Sequence, residues 1–463
     1  MLAPTHHKTE TDNRQELELV NYLWETEVMP RLPADLEEQA QQHKALQRKR
    51  KLNNSYDLLR ALLAYALAGL STRQWGSWAV ITGLADISSQ GWAKWLSKSG
   101  AWLEWLFAEL IAVEPLPASL FGQARPRILL IDATSLGQLG GTGDDWRLHT
   151  AYNLMAGRIA QVSLTDRSQG EKLSHFELQP GDIAVTDRGY GYRGSISTAD
   201  QAQADVVVRI QPDKFPLEDE TGQRLAVWPL LKATSHTAQI WELPAYCTDQ
   251  QQTYAVRLIA GQLPQEQADL ARKRLKDKAR KKGQTLSAKQ SLLAGWVLLI
   301  TTLDPTDWSA TDLLRLYRAR WQIELLFKRI KQMLRMHTIN CTRPDRVAAT
   351  IRALLIAWVL QESQATQVRQ LLEQTRQAAQ STIIAWPALQ PISSWSLHKL
   401  CLQTLTHQVL GYWSMARLRA CLPRLLRFLT TKHRHRLHQE TDVRLWLDRL
   451  LAKQSAQILE LAA

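Results

Sequence analysis

The spacing of hydrophobic positions changes several times along the chain. Residues 1 to about 120 show helical spacing without strand-like alternation, and tryptophans recur at helical intervals over residues 92–105. From about 127 to 211, short apolar runs of strand length predominate, with helix-like stretches at Lys172–Leu178 and Ser197–Ala204. The predicted strands of this region are Ile128–Ile131, Arg147–Leu154, Ile159–Leu164, Ile183–Thr186 and Val206–Ile210.

Residues 212–300 predict further strands and one basic helix, and helical spacing returns from 310 onward. These strands are Leu225–Trp228, Ala238–Leu243, Thr253–Leu258 and Trp296–Thr301. Three strands followed by helix, strand, helix and strand is the element order of a ribonuclease-H-like core, an α/β fold in which chemistry gathers at strand ends. We therefore predict a helical N-terminal DNA-binding region (1–120), a catalytic core (121–211 and 302–350), a mostly β insertion (212–301) and a helical C-terminal region that is a candidate for dimerisation (351–463).

The charge balance points to a polyanionic partner. Lys and Arg number 57 against 44 Asp and Glu, which gives a net charge of +13 and favours nucleic acid. The alternative is a basic protein whose charge only keeps it soluble. Four widely spaced cysteines argue for a reducing compartment, and the longest apolar runs, Leu58–Leu70 and Leu292–Leu303, are too short to span a bilayer of roughly 30 Å. The expected location is the bacterial cytoplasm, in association with the nucleoid.

Two apolar runs each end in an acidic residue. Arg127–Asp132 and Asp182–Asp187 both read as buried strands followed by a carboxylate. Such a carboxylate is costly to bury unless it is paired or bound to a metal. A turn or helix-capping aspartate is the alternative for either position alone. Two such strand ends in one basic protein favour a functional role for Asp132 and Asp187.

A third acidic residue lies in a helical segment with an apolar face and a polar stripe. At about 100° per residue, four side chains fall within roughly 60° of one another. They are Tyr317, Arg320, Glu324 and Lys331. The adjacent apolar face comprises Leu316, Ile323, Leu326, Phe327 and Ile330. A solvated surface with an ion pair between Arg320 and Glu324 is the alternative, but a tyrosine, two cations and an acid together favour a phosphate-binding surface.

The pattern Tyr-x2-Arg-x3-Glu-x6-Lys at residues 317–331 resembles the signature of the "four" family of bacterial insertion-sequence DDE transposases. The contexts of Asp132 and Asp187 look like the first and second acidic motifs of that family. The resemblance covers about residues 60–360. It implies a ribonuclease-H-like domain with a mostly β insertion, and a catalytic and metal-binding triad of Asp132, Asp187 and Glu324. It further implies that Tyr317, Arg320 and Lys331 hold DNA phosphates at the transposon end.

The chemistry of three carboxylates agrees with this resemblance. Converging acids repel one another and raise one another's pKa values, and two Mg²⁺ ions about 3.5–4 Å apart relieve that repulsion while serving phosphodiester cleavage. Ligands that are all oxygen favour Mg²⁺, or Mn²⁺ in its place, over zinc. The expected partners are the transposon ends and target DNA, bound by a homodimer that pairs the two ends.

Further DNA contacts are expected around these residues. Arg188 and Lys328 are cations close to two of the acids. Trp296 lies at the edge of the insertion, where a similar transposase stacks a tryptophan on a flipped base; such stacking contributes roughly 1–3 kcal/mol. The alternative places Trp296 in the core, beside the apolar run that follows it.

Basic and helical segments elsewhere leave alternatives open. Residues 272–282 are mostly cationic, and the choice lies between a solvated helix face and contact with phosphates. Residues 47–51 carry the same ambiguity, whereas the His-rich run 432–438 reads as a basic helix end. The segment from Leu70 to Trp95 is either a helix-turn-helix or simple helical packing, and its tryptophans favour core positions.

Three functions remain. The first is a transposase that nicks the ends of its element and joins them to a target. The second is another ribonuclease-H-like metal nuclease, which would not explain the Tyr-Arg-Glu-Lys stripe. The third is a non-catalytic DNA-binding inhibitor derived from a transposase, which would usually have lost an acid. Because Asp132, Asp187 and Glu324 are all present, the transposase is the favoured interpretation.

Overall fold

A computed structural model describes residues 21–49, 51–112, 126–234, 239–381 and 393–411, together with residues 421 and 424. The chain divides into two compact units. The helical unit comprises Met1–Val113, Gly137–Thr142 and Arg329–Ala463, and the sheet unit comprises Glu114–Leu136 and Gly143–Lys328. The His-rich run 432–438 and the proline-interrupted stretch 387–391 lie outside the described residues.

The described part of the helical unit contains five N-terminal and two C-terminal α-helices. The N-terminal helices are α1 (Leu36–Gln42), α2 (Ser55–Ala68), α3 (Thr72–Ile81), α4 (Ser89–Lys98) and α5 (Gly100–Ala112). The helices of the sheet unit are α6 (Gly194–Gln201), α7 (Val227–Thr234), α8 (Gln265–Lys281), α9 (Ala288–Leu293) and α10 (Ala310–Ala319). Helix α11 (Trp321–Met333) passes from the sheet unit into the helical unit, which then continues with α12 (Pro344–Ser381) and α13 (Ser394–Leu410).

Side-chain caps and stacked aromatic rings define the N-terminal helices. Ser71 and Gln74 form a reciprocal capping box at the start of α3, which pairs two backbone N–H groups that the helix leaves free. The Trp75 ring lies 4.6 Å from both the Tyr65 ring and the Trp92 ring, measured between centroids, and both tryptophans are fully buried. The prediction that these tryptophans belong to the core is confirmed, while a helix-turn-helix role for α3 and α4 stays a prediction.

A buried arginine joins the C-terminal helix to the N-terminal ones. The Arg60 guanidinium lies 5.9 Å from the ring centroids of Trp24 and Trp78, and its Nε donates to the Val409 carbonyl at 2.8 Å. The Trp78 indole donates to the neighbouring Leu410 carbonyl at 3.0 Å. These bonds satisfy two of the last carbonyls of α13, which have no partner within the helix.

Nine strands are present in the described residues. They are β1 (Ile128–Gln138), β2 (Trp146–Asn153), β3 (Arg158–Asp166), β4 (Ile183–Thr186), β5 (Asp205–Arg209), β6 (Ile240–Asp249), β7 (Gln252–Gln262), β8 (Trp296–Thr301) and β9 (Thr338–Ile339). Eight of them form one sheet in the order β3-β2-β1-β4-β5-β8-β7-β6. In the helical unit, β9 pairs in parallel with the far end of β1, at Gly137 and Gln138.

The first five strands have the predicted ribonuclease-H-like arrangement. Strands β1, β2 and β3 are antiparallel neighbours, whereas β1, β4 and β5 run parallel. The predicted bounds of β4 were correct, but the stretch Lys172–Leu178 forms only a short 3-10 turn at Leu173–His175. The α/β fold class is confirmed, with this core in the sheet and helices before and after it.

The strands of the predicted insertion extend the same sheet. Strand β8 pairs antiparallel with β5, and β7 and β6 follow outward. The prediction of a strand at Leu225–Trp228 was wrong, since α7 begins at Val227. Val227 and Leu231 are both buried at the i, i+4 spacing of a helix, and Pro229 lies in the first turn, where its missing N–H costs no helical bond. The domain limits themselves stay a prediction.

Candidate active site

Two strands bring two of the predicted acids to one edge of the sheet. Ile131 of β1 and Thr186 of β4 are the last partners in a parallel pairing, so Asp132 and Asp187 follow side by side. Strand β1 continues beyond Asp132 along β2, whereas the prediction ended it at Ile131. Asp187 caps a 3-10 turn by accepting a hydrogen bond from the Gly189 N–H at 2.8 Å. The two aspartates are therefore fixed by backbone pairing and local turn geometry.

Arg320 connects the first aspartate to the glutamate. Its Nη1 donates to Asp132 Oδ2 at 2.9 Å, and its Nη2 donates to Glu324 Oε1. The predicted continuous helix is divided here: α10 ends at Ala319, and the Arg320 N–H donates to the Tyr317 carbonyl at 3.1 Å, a 3-10-type bond. The apolar face predicted for this segment is buried as expected. The acids Asp132 and Glu324 thus share one guanidinium.

The environment of Asp132 makes its carboxyl a weaker acid than usual. Burial raises the pKa of Asp132 to about 6, and the charges of Asp187 and Glu171 act in the same direction. The Ala133 N–H and the Arg320 guanidinium oppose this shift by stabilising the charged form. Asp132 and Asp187 follow paired residues of β1 and β4, which explains why the charge of Asp187 acts on the Asp132 pKa.

Glu171 is a site residue that the sequence did not reveal. Burial raises the pKa of its carboxyl, with the Asp187 charge as the next cause. The carboxylate lies against the backbone of Gly189, where a β-carbon would clash with it, and its Oε1 lies 3.8 Å from Arg147 Nη1. Glu171 follows no apolar run and belongs to no motif. No signal in the sequence distinguishes it from an ordinary loop glutamate.

Several buried polar atoms beside these acids have no hydrogen-bond partner among the described residues. They include Tyr317 Oη, Arg320 Nε, Thr186 Oγ1 and Tyr190 Oη. The Arg320 guanidinium lies 5.8 Å from the Tyr317 ring centroid, so two of the unpaired donors are neighbours. An unpaired buried donor costs roughly 1–3 kcal/mol. Such donors favour a site that a ligand oxygen completes.

The donor set suits a hard metal ion. Asp132, Asp187 and Glu324 offer carboxylate oxygens, which Mg²⁺ and Mn²⁺ prefer. No group of three acidic, histidine or cysteine side chains in the described residues has the closeness of a formed metal site. The Arg320 guanidinium lies between two of the three acids and supplies positive charge there.

The other predicted DNA contacts are distributed unevenly. Arg188 and Lys328 are exposed, as contact with DNA requires. Lys331 is half-buried about two turns beyond Glu324 on α11, in the part of the helix that belongs to the helical unit. Trp296 requires a correction because its side chain is only 2% exposed and lies in the hydrophobic core of the sheet. A base cannot stack on a ring that is covered on both faces, so the burial favours the core interpretation of Trp296.

A different tryptophan is accessible. Trp321 is the first residue of α11, directly after Arg320, and it is 58% exposed. Single exposed apolar side chains are common on protein surfaces, so the interest of Trp321 lies in its position directly beside Arg320. Trp321 lies within the recognised motif. At about 100° per residue it falls outside the apolar face, so the helical spacing was a signal for its exposure that the sequence analysis did not use.

Comparison with known protein families identifies the family of the chain. A family model described as the transposase DDE domain matches residues 123–360, a span that contains all three acids. The chain belongs to the DDE transposase family. The transposase for insertion sequence element IS421 of Escherichia coli is 31% identical over 332 residues, 70% of this chain and 89% of that protein. The InsL protein of element IS186A from E. coli K12 is equally similar over 331 residues, with the same coverage.

A more distant relative matches a shorter part of the transposase. The transposase for element IS231F of Bacillus thuringiensis subsp. israelensis is 25% identical over 250 residues, half of this chain and 52% of that protein. Membership of the family implies that this transposase binds transposon ends, and its domain type generally uses a divalent metal ion. Within the described residues, no helix has the length and apolar character needed to cross a membrane.

Proposed function

We propose that this transposase cuts DNA at the ends of its insertion sequence and joins those ends to target DNA, with Asp132, Asp187 and Glu324 as its catalytic carboxylates. The observation that carries this proposal is that the fold connects these three acids although they are far apart in sequence. Asp132 and Asp187 follow paired strand residues, and one guanidinium joins Asp132 to Glu324. A buried carboxylate costs free energy unless it is paired or bound to a ligand such as a metal ion.

The same three acids are the proposed metal ligands. Bound Mg²⁺, or Mn²⁺ in its place, supplies positive charge that makes a water or a 3′-hydroxyl a better nucleophile and stabilises the leaving oxygen. Asp132, with a pKa of about 6, is mostly ionised at neutral pH and available as a ligand. Backbone pairing of β1 with β4 supports Asp132 and Asp187, and Glu324 on α11 is linked to Asp132 through Arg320.

Positively charged and aromatic side chains around the acids are the proposed DNA contacts. Tyr317 and Arg320 each retain a buried donor without a partner among the described residues, and a phosphate oxygen is the acceptor that fits both. Arg188 and Lys328 present exposed cations. Trp321 offers an indole on which a base or sugar can stack.

Two proposals rest on the family resemblance alone. Lys331 completes the phosphate-binding residues, as the last position of the Tyr-Arg-Glu-Lys pattern. A homodimer pairs the two transposon ends, with the helical C-terminal region 351–463 as the expected dimerisation region. Cross-linking of the purified protein on end-containing DNA, compared with DNA-free protein, tests the second of these.

The first experiment incubates purified transposase and Mg²⁺ with DNA that carries the gene and its flanks. The wild type should nick at the element ends, and Asp132→Asn, Asp187→Asn and Glu324→Gln should each abolish nicking while DNA binding persists. Glu177→Gln is the matched control, since Glu177 is an exposed acid of the same unit without a side-chain bond in the described residues. Nicking that survives any triad substitution would remove that residue from the triad. Binding without nicking by the wild type would favour the non-catalytic inhibitor.

A further inference from the structure

Helix α8 contributes almost nothing to the core of the sheet unit. Ala268 is the single buried residue among its members, all of which the structure describes. The helix is attached near its start, where Arg272 Nε donates to the Ser291 carbonyl at 3.2 Å and the Ala268 side chain lies close to Gly295. The remaining length of the helix, from residue 273 onward, faces solvent over most of its surface. Its sequence is therefore not explained by packing.

The charges of α8 destabilise an isolated helix. Like charges recur four residues apart at 272 and 276, 274 and 278, 276 and 280, and 278 and 282. Each such pair costs roughly 0.2–0.5 kcal/mol. Only two acids offset them: Asp269 pairs with Arg272 at 2.7 Å, and Asp277 lies 3.6 Å from Arg280. The cations on the exposed side of this helix repel one another. A bound polyanion would neutralise them and remove that repulsion.

Five cations of the exposed part form no ion pair with any described residue. They are Lys273, Arg274, Lys276, Lys278 and Lys281. At about 100° per residue they fall into two stripes, Lys273 with Lys276, and Arg274 with Lys278 and Lys281, on either side of Asp277. Contacts from lysine and arginine to phosphates hold the duplex in place but carry no information on base sequence. The surface therefore fits a ligand with regularly spaced phosphates.

We propose that α8 is a second DNA-binding surface of the transposase, which holds a duplex through its phosphates irrespective of sequence. Residues 273–281 rise by about 12 Å, and one DNA strand carries a phosphate about every 3.4 Å along the axis, so about three or four phosphates fit beside them. The inference rests on DNA as the partner in the proposed function, but it requires none of the catalytic assignments. The surface lies apart from the carboxylate motif in sequence and contains no catalytic acid.

The test measures duplex affinity against salt concentration in EDTA, with a short random-sequence duplex as the probe. Lys273→Gln/Lys276→Gln and Arg274→Gln/Lys278→Gln each remove two charges, and glutamine keeps a helix propensity close to that of lysine and arginine. The control, Lys214→Gln/Arg224→Gln, removes two charges from exposed positions elsewhere in the sheet unit. Circular dichroism and the melting temperature establish that each variant is folded.

If α8 binds the duplex, each α8 pair should reduce the slope of log K against log[salt] by about 1.8, which is about a 60-fold loss of affinity at 0.1 M salt. The control pair should change the slope much less. If the α8 variants are folded and their salt slopes equal that of the control variant, the proposal is overturned and α8 is a solvated helix. Because EDTA prevents cleavage, a wild type that binds but does not nick would leave this test intact. If the wild type nicks DNA but the α8 variants have unchanged salt slopes, the proposal for α8 is overturned while the proposed function stands.

Discussion

Substitution of Arg320 by Gln tests whether this guanidinium takes the place of metal charge between Asp132 and Glu324. The Arg320 and Asp132 side chains are 15% and 14% exposed, whereas Glu324 is 37% exposed. Removing one partner of a fully buried ion pair costs about 3–5 kcal/mol. Because solvent screens the Glu324 half of this bridge, we expect a loss of about 2 kcal/mol. In EDTA the variant should therefore be less stable than the wild type.

The loss is measured as a shift of the melting temperature. For a unit of about 200 residues, each kcal/mol corresponds to about 2–4 °C, so the transition of the sheet unit should fall by about 4–8 °C in EDTA. Saturating Mg²⁺ should recover most of this loss, because the metal neutralises the carboxylates that the guanidinium neutralised before. The gain on adding metal should also be larger for Arg320→Gln than for the wild type, since no cation then competes for the acids.

Arg257→Gln is the matched control for this experiment. Arg257 is an equally buried arginine of the sheet unit that bonds Glu242 at 2.6 Å and the carbonyls of Leu303 and Trp308. Its loss should lower the melting temperature to the same extent with and without Mg²⁺. A loss for Arg320→Gln that metal does not reduce would refute the idea that the guanidinium replaces metal charge. An unchanged melting temperature in EDTA would show that the bridge contributes nothing to stability.

Three further outcomes follow from the site. Because the folded pKa of Asp132 is about 6, protons compete with metal for its carboxylate below that pH. The Mn²⁺ affinity, measured by calorimetry, should therefore fall as the pH drops through 6 and level off above it. A midpoint of this pH dependence near 3.8, the ordinary pKa of an aspartate, would contradict the shift. Lys331→Ala should lower the salt slope of end binding by about one, and an unchanged slope would remove Lys331 from the phosphate contacts. Trp296→Ala should destabilise the sheet unit by about 3–5 kcal/mol in chemical denaturation, whereas a stable variant with slow end processing would restore the base-stacking role.

Apolar runs in the sequence predicted the buried strands best. The bounds of β4 and β8 matched the prediction because both strands are covered on two sides, and a continuous apolar run is then required. The same apolar context left Trp296 open between the core and base stacking, since a core tryptophan and a base-stacking one have similar neighbours in sequence. The Leu225–Trp228 segment failed for a related reason. Its short apolar run fits a strand or a helix, and only tertiary packing decided between them.

The composition of the site was more predictable than its internal contacts. The motif spacing identified Tyr317, Arg320 and Glu324 as members of one stripe. It did not identify Asp132 as the partner of Arg320, because those residues meet only through the sheet. Glu171 was missed for the same reason, since its role depends on the turn at Gly189 and on nothing near it in sequence. Pairings between distant segments depend on topology, which a single sequence does not contain.

The donors of Arg320 determine what the residue can do during binding. Nη1 and Nη2 each give one N–H to Asp132 and Glu324, while Nε is buried without a partner among the described residues. A phosphate that takes only the other N–H groups leaves the carboxylates bridged, and the site then holds DNA without freeing its acids for metal. A phosphate that takes the two N–H groups now bonded to the carboxylates displaces both acids and leaves them to be neutralised by metal ions. DNA binding and metal binding therefore support each other only in the second arrangement, and the dependence of Mn²⁺ affinity on bound DNA distinguishes the two.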